Sequence, residues 1–211
     1  MNTGAVSNVP RKTVAHEKLL VPFEDIPTGV REVLKDKYEL TNADINWEGF
    51  RWVPSGRGRL AMPIKDRLCR CVGYTLRSLS GETPKALTYL SDSAAACMSF
   101  HFMGGNRLYV SQSNLATALV VVEDQLSAIK TARFAKVDCC ALLSTQLSNG
   151  KIDELVRFKP KRLIFALDED AKEIGAKYVR QLQGIIDNVS FMPLKKDLKD
   201  TPSEEIARMF A

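Results

Sequence analysis

The sequence has no CxxC pair. Its five cysteines stand at Cys69, Cys71, Cys97, Cys139 and Cys140, and without that spacing a zinc ribbon cannot be assembled. Histidine is scarcer still, with only His16 and His101, far apart and in no motif. A Ser-His-Asp triad or a histidine-based metal site is therefore hard to build, so any chemistry has to run on carboxylates. No apolar run approaches the roughly 20 residues that a bilayer span needs. The opening stretch MNTGAVSNVPRKTVAHEK lacks the apolar segment of a signal peptide. No GxxxxGK[ST] phosphate loop occurs, which excludes a built-in P-loop helicase motor. These absences point to the cytoplasm and to no membrane partner. There the five thiols stay reduced, with Cys139 and Cys140 as small buried hydrophobes inside an apolar run.

What is present is an ordinary globular composition, 45% hydrophobic and 26% charged over 211 residues, enough for one large domain or two small ones. The net charge of +5 is unevenly spread. Residues 51–90 hold eight basic side chains (Arg51, Arg57, Arg59, Lys65, Arg67, Arg70, Arg77, Lys85) against only Asp66 and Glu82. The rest of the chain is close to neutral. A patch of this kind attracts polyanions.

Residues 1–22 carry little periodicity and read as a flexible leader. The spacing of Ile26, Val30, Val33 and Leu34 predicts a short helix within Ile26 to Leu40. Residues 50–79 read as short strands and turns, including Leu60 to Ile64 and Cys71 to Leu76, and Met103 to Asn106 as a turn. From Ala118 strands alternate with helices. Leu119 to Val122, Cys139 to Leu143, Arg162 to Leu167 and Val189 to Met192 are the predicted strands. The longest helical spacing runs from Ala171 to Ile186, and a last helix from Pro202 to Phe210. Repeated β-α units imply a parallel sheet with helices on both faces, whose ligand sites lie at the carboxyl ends of the strands.

Acidic residues gather at those ends. Glu123-Asp124 follows the first strand of the repeat, Asp168-Glu169-Asp170 the third, and Asp197 and Asp200 the last. A single acid there caps the following helix, as Asp124, Asp170 or Asp200 would on dipole grounds. Three clusters on one edge repel one another unless cations neutralise them. Oxygen-only donors favour Mg²⁺ or Mn²⁺ over zinc. Asp168 and Asp170, two apart, share one side of an extended segment.

This arrangement resembles the Toprim domain of bacterial-type primases, topoisomerases and certain nucleases. The resemblance rests on Glu123 in VVVEDQLSAIKTA, Asp168 and Asp170 in LIFALDEDA, and Asp197 and Asp200 in LKKDLKD, with Ser144-Thr145 near the family's usual Gly-Thr. It departs at Asp124, where the family usually has glycine. The preceding stretch, GRLAMPIKDRLCRCVGYTLRSLSGETPKALTYL, resembles the basic subdomain of DnaG-type and phage primases at Arg59, Pro63-Ile64, Asp66, Val72-Gly73, Arg77 and Pro84-Lys85.

The resemblance implies an α/β chain, with a smaller α+β basic subdomain over residues 23–113 and a Rossmann-like Toprim domain over 114–211. It implies a primase catalytic core, phage-like, that makes short RNA primers on single-stranded DNA from ribonucleoside triphosphates. Glu123, Asp168 and Asp170 would be catalytic, and these three with Asp197 and Asp200 would hold Mg²⁺ or Mn²⁺. Glu123 could be ligand or general base. Arg57, Arg59, Lys65, Arg77 and Lys85 would meet the template or the triphosphates. A replicative helicase and a separate zinc-binding domain are the implied partners, since this chain is expected to hold no zinc. If the chain is phage-encoded, the cytoplasm is that of a bacterial host. A Toprim nuclease and a non-catalytic DNA-binding replication accessory protein are the rival readings.

Overall fold

The computed structural model describes residues 22–91, 94–103, 118–144 and 146–210. All but the last residue of the expected leader, the 113/114 boundary, Thr145 and most of the expected turn at Met103 to Asn106 lie outside these residues.

The first layer is helical. α1 (Thr28–Tyr38) ends where Glu39 takes a left-handed conformation, φ 58°, and its amide closes the last turn. The chain then starts again rather than continuing to Leu40. Thr41 and Asp44 form a reciprocal capping box that opens α2 (Asn42–Glu48).

Four antiparallel strands follow, β1 (Arg51–Val53), β2 (Arg59–Lys65), β3 (Cys71–Arg77) and β4 (Ala86–Leu90), in that spatial order. β4 carries little alternation in sequence and is recruited by its neighbour. Gly73 makes that pairing possible, because a Cβ at this position would stand 2.1 Å from the Tyr89 carbonyl oxygen. Cys69 lies in the β2–β3 connection and Cys71 opens β3, and Cys71 is exposed, unlike the buried Cys97, Cys139 and Cys140.

The second sheet has the order β5-β7-β6-β8-β9. β6 (Leu119–Val122), β7 (Asp138–Ala141), β8 (Leu163–Asp168) and β9 (Val189–Leu194) are parallel, as the β-α repeat requires. The edge strand β5 (Ser99–His101) pairs antiparallel with β7, so the sheet is mixed. Alternate strand residues face opposite ways. Leu119, Val121, Leu163 and Phe165 pack with α4 (Asn149–Phe158) and α5 (Lys172–Leu182) on one face. Val120, Val122, Ile164 and Ala166 pack with α3 (Gln125–Phe134) and α6 (Ser203–Met209) on the other. The helical spacing predicted to Ile186 stops at Leu182, and Gly184 turns the chain at φ 90°.

α3 joins the two halves. Ala128 and Ala132 lie on the sheet, while Leu126 and Ile129 enter a second core with Leu34, Ile45 and Leu60 from the first layers. Burying Leu126 and Ile129 stabilises this junction by about 2 kcal/mol each. Lys130 is caught in the same seam at 1% exposure. Its Nζ donates to the Thr201 carbonyl at 2.7 Å and the Lys199 carbonyl at 3.2 Å, and it pairs with Glu39 at 3.2 Å.

Candidate active site

The chain turns from β6 one way, into β7, and returns on the far side of β6 as β8. The carboxyl ends of β6 and β8 therefore flank the point where the winding reverses, the place where open α/β sheets form a crevice. Glu123 follows β6 directly and Asp168 ends β8. Two of the three acidic clusters meet at this point for topological reasons.

Their electrostatics differ residue by residue. Burial pushes the Glu123 carboxyl upward, and the charges of Asp168, Asp170 and Asp124 add to the rise, partly offset by Lys199. Asp168 is also raised, first by burial and then by Asp170 and Asp124, against the pull of Lys199. The nearness of Asp168 and Asp170 does not come from strand pleat, as an extended segment would give. The backbone leaves β8 at Asp168 and enters a 3-10 turn over Glu169–Ala171.

Asp124 behaves in the opposite way. Burial alone would raise it, but Arg77 and Lys199 hold its carboxyl below the ordinary value. Arg77 Nη1 lies 3.7 Å from its Oδ1, and Lys199 Nζ lies 3.0 Å from its Oδ2. The same side chain caps α3, accepting from the amides of Leu126 at 2.8 Å and Ser127 at 3.1 Å. Asp124 is thus both a helix cap and a charged node. A glycine here would make neither contact.

Asp197 is also occupied. It accepts from Ser127 Oγ at 2.6 Å, pairs closely with Lys199, and caps the 3-10 turn Leu198–Asp200. Asp200 is half-buried in that turn, its amide donating to the Asp197 carbonyl at 3.0 Å. Lys199, Ser127 and Gln125 were missed in the sequence, although a lysine inside an acidic stretch is a visible signal. Gln125 is buried and donates to the Pro63 carbonyl at 2.8 Å and to Ser99 Oγ at 3.3 Å, tying the site to β2 and β5.

The expected basic residues divide into two groups. The register brings Arg59, Arg77 and Lys85 to one end of the antiparallel sheet, with Arg57 in the adjoining turn, and puts Lys65 at the other end. Arg59 is mostly buried, donating to the Pro84 carbonyl at 2.9 Å and pairing with Glu82 at 3.4 Å. Arg57 pairs loosely with Glu82 at 3.7 Å, and both Arg57 and Lys85 are exposed. Lys65 pairs with Glu48 at 2.7 Å. Arg77 alone of the five reaches the acidic edge with an ion pair.

The free donors at the crevice are carboxylate oxygens, the chemistry of a hard divalent cation. Among the described residues, no group of three or more His, Cys, Asp or Glu side chains is close enough to enclose an ion. An open site suits Mg²⁺, which commonly takes one or two carboxylates and completes its shell with water and substrate phosphate. Among the described residues, no helix is long and apolar enough to cross a membrane.

No protein-family model matches the chain, and neither does a curated protein sequence. Solved structures do match. A DnaG primase catalytic domain bound to single-stranded DNA superposes with a TM-score of 0.66 at 20% identity, over 87% of this chain and 69% of the other. A DnaG catalytic core gives 0.62 at 19% identity, over 86% and 72%. The primase fragment of the bacteriophage T7 primase-helicase gives 0.60 at 15% identity, over 94% and 81%. The chain has the fold of the primase catalytic core, an antiparallel sheet followed by a Toprim-type α/β sheet.

Proposed function

We propose that this chain is a primase catalytic core that joins ribonucleotides into short primers on single-stranded DNA. The observation that carries the reading is the crevice itself. Two raised carboxyls, Glu123 and Asp168, stand at the reversal of the winding beside Lys199, and Arg77 of the basic sheet pairs with the neighbouring Asp124. Nucleotidyl transfer needs negative phosphates held beside negative carboxylates, and this crevice puts cationic side chains of the chain around that meeting point.

Glu123, Asp168 and Asp170 are the residues that would hold Mg²⁺ or Mn²⁺; Asp197 would join them on release from Lys199, and Asp200 in the same turn would be the outermost of the five. A divalent pair held there would supply the charge neutralisation that in-line displacement at phosphorus requires. The chain's own residues do the rest. Glu123 would serve either as a ligand or as the acceptor of the attacking hydroxyl's proton. Arg77 and Lys199 keep Asp124 charged and in place, so the turn after β6 is fixed. Lys85 and Arg57, exposed beside the crevice end of the antiparallel sheet, would guide phosphates of the template or the triphosphate. The fold similarity to a DnaG domain solved with single-stranded DNA supports that assignment of template class. A replicative helicase and a separate zinc-binding module are the proposed partners.

One observation favours a second reading, a non-catalytic DNA-binding replication protein: Lys199 already pairs with Asp197 and Asp124 inside the acidic cluster. The deciding experiment is incubation with single-stranded DNA, labelled ribonucleotides and Mg²⁺ or Mn²⁺. Short RNA products establish the primase. Binding without products establishes the accessory protein. Nicking of plasmid under the same conditions would assign a Toprim nuclease instead.

A further inference from the structure

A cavity of about 550 Å³ opens between α2, the β2–β3 hairpin and β5, a size within the range of small-molecule sites. It is separate from the acidic edge. Its wall includes Lys65, at the opposite end of β2 from Arg59, and His101, which pairs with Cys139 near the start of β7. The proposed reaction uses none of its polar groups.

The walls are aromatic. The rings of Phe23 and Tyr74 meet at 4.8 Å between centroids, tilted by 49°. Trp47 stands on the rim at 56% exposure, on a helix whose buried residue is Ile45. A large exposed indole beside a cavity offers a flat apolar face to a planar ligand.

The polar groups narrow the ligand. Glu48 lines the cavity with its side chain 11% exposed. Its Oε2 accepts from Lys65 Nζ at 2.7 Å and from His101 Nδ1 at 3.2 Å, so both partners use one oxygen. The carboxylate keeps acceptor capacity on Oε1 and can accept only, never donate. Aromatic walls with a carboxylate would also suit an organic cation. Here Lys65 already neutralises Glu48, so a cation gains little, and Arg51, paired with Asp25 at 3.2 Å on the exposed side of the wall, keeps further guanidinium N–H groups to offer an anionic group.

We propose that this cavity binds a nucleobase bearing an exocyclic amino group, its ring against Trp47 and Tyr74, its amino group donating to Glu48, and its phosphate on Arg51. Cytosine offers an amino donor where uracil offers a carbonyl acceptor, so Glu48 separates the two. The base comes either as a free nucleotide or as an unstacked base of a single strand. The proposal goes beyond the primer-synthesis reading and does not depend on it.

The test is calorimetric titration in EDTA, which silences any metal-dependent binding at the acidic edge. Cytidine monophosphate and uridine monophosphate are compared with oligo(dC) and oligo(dT). The expected result is cytidine over uridine by about tenfold, with Trp47→Ala weakening cytidine binding by at least about fivefold. Glu48→Gln should erase the preference. If that variant fails to fold, as judged by thermal melting, Trp47→Ala on the exposed rim still decides. Binding of oligo(dC) but not the monophosphate, still sensitive to Trp47→Ala, supports the site with a strand as the source. No binding in any arm, equal binding of cytidine and uridine, or binding indifferent to Trp47→Ala overturns it.

Discussion

Arg77, the last residue of β3, lies 3.7 Å from Asp124, the residue that caps the helix after β6. One ion pair thereby joins the basic sheet to the acidic edge of the parallel sheet. Asp124→Asn keeps a capping oxygen but removes the charge, and with it the Lys199 pair as well, so the Arg77 contribution has to be separated by a cycle. A double-mutant cycle with Arg77→Met is expected to give a coupling of about 1 kcal/mol by denaturant unfolding. Additive effects would show that the two residues merely lie close.

Asp168→Asn and Asp170→Asn should each lower primer synthesis by about a hundredfold or more, on the scale of losing one preorganised charge-stabilising group. The fold should persist. Because Asp168 is raised by burial and by neighbouring carboxylates, a neutral amide relieves repulsion, and the melting temperature should hold or rise by about 2 °C. Near-normal synthesis by both variants would remove the acidic edge from the mechanism.

Lys199 acts as an internal counter-ion for Asp124 and Asp197. Lys199→Ala should lower the melting temperature in EDTA, and added Mg²⁺ should restore more stability than it gives the parent. Differential scanning fluorimetry with and without Mg²⁺ reads this directly. An identical Mg²⁺ response in both proteins would mean that Lys199 does not compete for the cluster.

Salt dependence separates the basic residues. Lys85 and Arg57 are exposed, so Lys85→Ala and Arg57→Ala should each flatten the log affinity against log salt slope for single-stranded DNA by about 0.7. Arg59→Ala should act mainly on stability, because its guanidinium holds the Pro84 carbonyl and Glu82. Unchanged slopes in both exposed variants would leave the patch as solvated surface.

Glu48 gives a pH signature. Burial works to raise its carboxyl, but His101 and Lys65 overcome that and bring it down to about 2, from an ordinary 4.5. A depressed folded-state value means that the ionised form stabilises the fold above pH 4.5, and that this contribution is lost as pH falls from 4.5 through about 2. The contribution is on the order of 3 kcal/mol. Acid unfolding of the parent should show this loss, and Glu48→Gln should be less stable at neutral pH with a flatter acid limb. A parallel limb in the variant would contradict the assignment.

The strands of the second sheet were legible because burial on both faces writes itself as uninterrupted apolar runs, Leu119 to Val122 and Leu163 to Leu167. Their alternation with helices determined the parallel sheet and hence a common carboxyl edge for Glu123 and Asp168. The primase resemblance was carried by residue types at fixed spacing, which need no coordinates. What the sequence left open depended on partners distant along the chain. β4 exists through pairing with β3, and β5 through pairing with β7, since short edge strands have little pattern of their own. The basic residues looked alike as charges. Only the antiparallel register brought Arg77 to Asp124, turned Arg59 inward, and placed Lys65 against Glu48 at the far end. A local spacing rule determines which face a side chain takes, while its ion-pair partner is set by which strands meet. That meeting is a property of the folded whole.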